Sequence, residues 1–191
     1  MGGSMGTMKQ PWTDMFRLSR RHWIVSALVA SGGLVIGSKK AAAVADDGLS
    51  HTAEAIHQEP IFKASPQRVY DALMDAQQFQ KIEQLGAATK SMDVTTKPAV
   101  ISREAGGAFM LFGGYIVGRQ IELIPNQRIV QVWRTMSWPE GAYSIVRFEF
   151  AARGGGTMLI FDHAGFPAGN GEHLATGWEI NYWQPMQKYL A

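Results

Sequence analysis

The 191-residue sequence contains no cysteine. Disulfides, thiolate catalysis and thiolate metal sites are therefore excluded. Charge is sparse, at 18% of residues against 46% hydrophobic, which fits one globular domain plus a short extra segment. No G-x-S-x-G elbow occurs, and Gly154-Gly155-Gly156 lacks the Lys-Ser/Thr of a phosphate loop. No two histidines stand one helical turn apart with a carboxylate, so no zinc motif is present. No apolar run reaches the roughly 20 residues that span a bilayer. The run Trp23 to Gly37 has fifteen.

That run belongs to an address. Arg20-Arg21 precede it, Lys39-Lys40 follow it, and Ala43-Val44-Ala45 is an A-x-A cleavage pattern. The order predicts a twin-arginine export signal over 1–45, placing the mature chain in the periplasm or outside the cell. The alternative is a membrane anchor through residues 23–37. Residues 1–45 carry six basic side chains and one acidic one, the remainder twelve and fifteen. The body is thus mildly acidic, which argues against nucleic acid as a partner.

Residues 46–55 read as a flexible lead-in. Alternation from Ile56 to Ala64 predicts a first strand, which Pro60 confines to an edge or a bulge. Ser65-Pro66 starts a helix carrying Val69, Tyr70, Leu73 and Met74. Phe79 and Ile82 continue into a second short helix after Asp75. Six strands follow, over 93–104, 107–112, 115–124, 129–136, 143–152 and 157–165. Their separators are turn chemistry: a bend at Gly106-Gly107, a two-residue hairpin at Gly113-Gly114, a type I turn at Pro125-Asn126 and a glycine hairpin over Arg153–Gly156. Leu174, Trp178, Tyr182, Met186 and Leu190 recur every fourth residue and predict a long C-terminal helix, irregular near Ile180–Asn181 because of Pro185.

This order makes an α+β fold in which about seven antiparallel strands curl around one helix. A single helix cannot fill a wide concave face, so a cavity is expected. Alternation suggests Val132 or Trp133, then Phe148, Phe150 and Phe161 from the sheet, facing Trp178, Tyr182 and Met186 from the helix. The runs Gly106–Phe109, Gly113–Gly118 and Glu122–Pro125, with Val132-Trp133-Arg134, Gly156–Leu159, His163, Gly177-Trp178 and Tyr182-Trp183, resemble the homologues of the activator of the ninety-kilodalton heat-shock-protein ATPase. These form a branch of the START-like (SRPBCC), polyketide-cyclase-like superfamily. The resemblance covers roughly residues 56–191 and implies a helix-grip fold with an apolar interior cavity, though no one chemistry.

Of His51, His57, His163 and His173, only His163 is a catalytic candidate. If it faces inward it lies near the cavity mouth, beside Phe166–Gly169, and acts as a general base or orients a ligand. Otherwise it is a half-buried histidine bonded to a carbonyl. Arg119 and Arg134 read as outward, with Glu122 and Glu149 as cross-strand mates. Three functions remain. The first is an exported, non-enzymatic binder of a small apolar or amphipathic molecule, needing neither cofactor nor metal. The second is a cyclase- or hydratase-like enzyme using the same cavity. The third is a protein-interaction module of the cell envelope.

Overall fold

The computed structural model describes residues 55–91 and 97–191. The leader, the lead-in up to Glu54 and residues 92–96, which include the first four of the strand expected over 93–104, lie outside the described residues. The strands are β1 (Ala55–Gln58), β2 (Ile61–Phe62), β3 (Val100–Ile101), β4 (Ala108–Leu111), β5 (Ile116–Ile124), β6 (Arg128–Thr135), β7 (Ser144–Arg153) and β8 (Gly156–Ala164). They form one antiparallel sheet in the order β1-β8-β7-β6-β5-β4-β3, with β2 also on β8. There are eight strands rather than seven because Pro60, which has no N–H to donate, splits the first. Its carbonyl still accepts from the Leu159 N–H at 3.0 Å. The strand expected over 93–104 contracts to Val100–Ile101 among the described residues.

Three turns were tested by the backbone. Gly154 and Gly155, with φ of 58° and 82°, close β7 onto β8 as a type I′ hairpin. Gln127 N–H donates to Ile124 O at 3.0 Å, but Asn126 has a φ of 62°. That is type II geometry, not type I. Gly113-Gly114 is no two-residue hairpin: Phe112, Gly113 and Gly114 all take left-handed φ, at 51°, 65° and 101°, in a wider turn before β5.

Helix α1 (Pro66–Met74) is capped by Ser65, whose hydroxyl accepts from the Arg68 N–H at 3.3 Å. Helix α2 (Ala76–Leu85) is capped by Asp75 through Gln78 N–H at 2.9 Å. A short α3 (Ala88–Ser91) follows. The C-terminal helix runs from α4 (Gly171–Trp178) through a π turn (Glu179–Trp183) into α5 (Gln184–Tyr189). The irregularity expected near Ile180–Asn181 is this π turn. Pro185 cannot donate to the carbonyl of Asn181, and Gln184 N–H instead reaches back to Glu179 O. Residues of this turn hold the α2–α3 connection: the backbone Ile180 O accepts from Ala87 N–H at 3.4 Å, and the side-chain Asn181 Oδ1 from Ala88 N–H at 2.7 Å.

The helix lies across the inner face of the sheet, as the cavity argument requires. Leu174, Trp178, Tyr182, Met186 and Leu190 are all buried, and Trp178 meets Phe148 and Phe161 of β7 and β8. On the outer face the expected ion pairs exchange partners. Glu122 pairs with Arg128 at 2.6 Å and Glu149 with Arg147 at 3.4 Å. Arg119 donates instead to Gly106 O at 2.9 Å and Arg134 to Trp138 O at 3.1 Å. A register shift between Gln120 and Glu122 sets Glu122 opposite Val130, and Glu149 stands opposite Arg128 rather than Arg134. These half-exposed pairs contribute little to stability.

Candidate functional site

The interior contains a cavity of about 320 Å³, at the lower end of the range for small-molecule pockets. It lies under the first half of the C-terminal helix. Leu174, Gly177, Trp178 and Tyr182 of the C-terminal helix line it, together with Trp133 and Trp138, Phe112 and Ala87-Ala88. His173, Thr176 and Ile180 line it and are exposed, so they form its rim.

Of the residues expected to line the cavity, Trp133, Trp178 and Tyr182 do so. Phe148, Phe150, Phe161, His163 and Met186 do not; they are buried in the packed interior beside it. The physical reason is aromatic fill. Phe161 lies 4.4 Å from Trp178 and 5.0 Å from Trp183, centroid to centroid, and Phe148 lies 5.4 Å from Phe161. The sheet centre is therefore solid, and the empty space is displaced toward the turns preceding β5 and following β6.

His163 sits inside that solid part, with no exposure. Trp178 Nε1–H donates to its Nδ1 at 3.0 Å. An indole only donates, so the neutral ring carries its proton on Nε2 and donates to Ser144 Oγ at 2.7 Å. Ser144 then donates to Trp133 O at 3.0 Å. Burial pushes the imidazole down to about 3, so it stays neutral. Both nitrogens are occupied, leaving no lone pair for a general base and no contact with the cavity. The half-buried alternative is also replaced, since its partners are a hydroxyl and an indole. Phe166, expected on a loop at the mouth, is itself fully buried against His163.

Sequence reasoning missed Glu83. It is 4% exposed, and its Oε1 accepts from Phe112 N–H at 2.6 Å, tying α2 to the left-handed turn of the cavity wall. The available signal was position: Glu83 is four residues after Phe79 and shares the apolar face of α2. Burial raises its carboxyl from 4.5 to about 7, against the smaller opposing effect of the Phe112 bond. The folded chain thus holds this proton more tightly than the unfolded chain does. The resulting stability is complete below pH about 4.5 and is lost as pH rises through about 7. Glu83→Gln, which can still accept from Phe112, is expected to abolish this slope. It should stabilise the protein by up to about 3 kcal/mol at pH ~8 while changing little at pH ~4. Urea unfolding at both pH values checks this; a wild-type stability flat between them would contradict it.

Two wall residues hold orphaned polar atoms. Trp133 Nε1 and Tyr182 Oη are buried and neither makes a hydrogen bond. The indole N–H is close enough to act on the Tyr182 hydroxyl, but the pair misses hydrogen-bond geometry. Among the described residues no cluster of side chains fit to hold a metal ion occurs.

The family model described as Activator of Hsp90 ATPase homolog 1-like protein matches residues 63–191. The activator of 90 kDa heat shock protein ATPase homolog 2 of Mus musculus is 28% identical over 136 residues, covering 71% of this chain and 38% of the mouse protein. Homolog 1 of Homo sapiens is 32% identical over 94 residues, covering 49% of this chain and 28% of the human one. The chain thus spans well under half the length of these relatives. A solved HSP90 activator from Plasmodium falciparum superposes with a TM-score of 0.62 at 24% identity, covering 72% of this chain and 96% of that one. The helix-grip fold is therefore shared, and the chain belongs to the family of activator of Hsp90 ATPase homolog 1-like proteins.

Proposed function

We propose that this domain is a non-enzymatic receptor for a small apolar or amphipathic molecule, acting after export by the twin-arginine route. The observation that carries the binding reading is the cavity of about 320 Å³ left open between aromatic walls in a core otherwise closely filled by rings. Export is supported by Arg20-Arg21, the fifteen-residue apolar run and Ala43-Val44-Ala45. A binder is favoured over a cyclase-like enzyme because the wall offers no partnered acid and base; its one imidazole among the described residues is His173, at the rim. Native mass spectrometry of protein from the envelope of its own host is expected to show a chain beginning at Asp46 with a small molecule bound. A chain beginning at its first methionine would defeat the export reading. A consistently empty cavity would defeat the receptor.

A variant separates binding from folding. Gly177 lies on the cavity wall in α4, and a Cβ there meets nothing within 4 Å. Gly177→Leu is expected to fill the space and remove ligand binding. It should also raise stability by about 0.5–1 kcal/mol, since glycine is a poor residue for a helix interior. Loss of stability together with binding would show that the site is not open.

A further inference from the structure

Three hydroxyls form a row on the cavity wall. Thr135 follows Trp133 by two residues on the inward face of β6 and is buried. Ser137 Oγ lies 2.7 Å from Thr135 Oγ1 and 3.1 Å from Tyr115 Oη, and all three residues line the cavity. The contact with Thr135 is half-buried and that with Tyr115 is exposed. The row therefore runs from the interior out to the mouth, where a ligand can reach it. Backbone bonds hold it in place. Met136 N–H donates to Tyr115 O at 2.8 Å and Trp138 N–H to Thr135 O at 3.3 Å. Two contacts take up two of the three hydroxyl protons. Whichever way the row is polarised, one proton is left over and the oxygens keep spare lone pairs. The row can thus donate to a ligand oxygen and accept from a ligand proton, and a hydroxyl group offers both. No Lys, Arg, Asp or Glu lines the cavity among the described residues, so a charged head would find no countercharge of that kind.

We propose that the ligand is a neutral, bulky alcohol or phenol, whose hydroxyl joins the Tyr115–Ser137–Thr135 row while its apolar body packs against Trp133, Trp138 and Trp178. This rests on the receptor reading above and names the class of molecule that the receptor takes.

2-Naphthol, 2-methylnaphthalene and 2-naphthoate share a ring system and differ by a hydroxyl, a methyl and a carboxylate, so they make the test. Equilibrium dialysis against the full-length protein at neutral pH gives the three affinities. A plain apolar wall would favour 2-methylnaphthalene, which leaves no hydrogen bond behind in water. Here 2-naphthol is expected to bind at least as tightly, and 2-naphthoate more weakly than 2-naphthol. Tyr115→Phe, Thr135→Val and Ser137→Ala together remove the row and keep its shape. They should weaken 2-naphthol about tenfold and leave 2-methylnaphthalene unchanged. Ser137→Ala alone, at an exposed position, should weaken 2-naphthol about threefold and covers the case in which the triple variant fails to fold. Gly177→Leu should remove all three probes. A wild type that favours 2-methylnaphthalene, or 2-naphthol binding indifferent to loss of the row, overturns the hydroxyl proposal and leaves the receptor standing. So does 2-naphthoate bound as tightly as 2-naphthol, which would place the head group at His173 on the rim. Failure of all three probes to bind, or binding indifferent to Gly177→Leu, overturns the receptor itself.

Discussion

Replacing Trp178 by alanine is expected to cost about 3–5 kcal/mol of stability, read as a fall in the urea midpoint. Trp178 is 2% exposed and is the hub of the aromatic interior. Its ring lies 4.1 Å from Tyr182, 4.4 Å from Phe161 and 5.5 Å from Trp183, centroid to centroid, the last nearly parallel. Alanine forfeits that transfer energy and leaves a void bounded by rings fixed from other elements, so collapse is limited. It also strands His163 Nδ1, which Trp178 alone serves among the recorded bonds. An unsatisfied buried acceptor costs a further 1–3 kcal/mol or so, less here because the new void joins the existing cavity and admits water. Trp178→Phe divides the two effects, keeping much of the apolar area while losing the N–H. It should lie between wild type and alanine. A loss of under about 2 kcal/mol for Trp178→Ala would mean that the cluster is not packed as described.

The elements were legible wherever one local signal decides them. Ser65-Pro66 announces its helix because an N-cap is chemistry within four residues; the cap at Asp75 was within the same reach but only the helix after it was read. The stripe from Leu174 to Leu190 announces the C-terminal helix, and Pro185 its defect, because both follow from one period and one missing N–H. Alternation also found the correct inward face, since Phe148, Phe150 and Phe161 are all buried. It could not say which inward residues touch one another and which face empty space. That depends on how far the helix sits over the sheet, a distance between segments remote in sequence. The cavity wall draws on Ala87, Phe112 and Trp138, which lie in or next to turns, where no period applies. Turn type failed for a related reason. Phe112 holds a left-handed φ of 51° while its N–H is bonded to Glu83 on another element, so tertiary contact overrides the simple glycine hairpin. The family resemblance conveyed fold and cavity together but not the cavity's occupant.

Gly118→Ala should be nearly as damaging, at about 3 kcal/mol, the upper end of overpacking costs. Gly118 stands within β5, opposite Phe109 of β4 and Trp133 of β6. Its backbone is not left-handed, so its requirement is space rather than conformation. A Cβ there would run into the carbonyl oxygen of Val132 and the ring edge of Phe109. The first is backbone within the β5–β6 ladder, and the second is a ring only 3% exposed, so neither yields cheaply. Gly141 is the contrast: its φ is +80° and a Cβ would meet nothing within 4 Å. Gly141→Ala should cost only the left-handed strain of about 1–2 kcal/mol. The reverse order of the two would show that the sheet is looser at Gly118 than its geometry states. Adding Phe109→Leu to Gly118→Ala should recover part of the loss, although Phe109→Leu alone destabilises, because the pair is in contact and their costs do not add. The same displacement reaches the ligand site, because Trp133 is the cross-strand partner of Gly118 and its indole stands on the cavity wall. Gly118→Ala should therefore weaken ligand binding even under conditions where the protein stays folded.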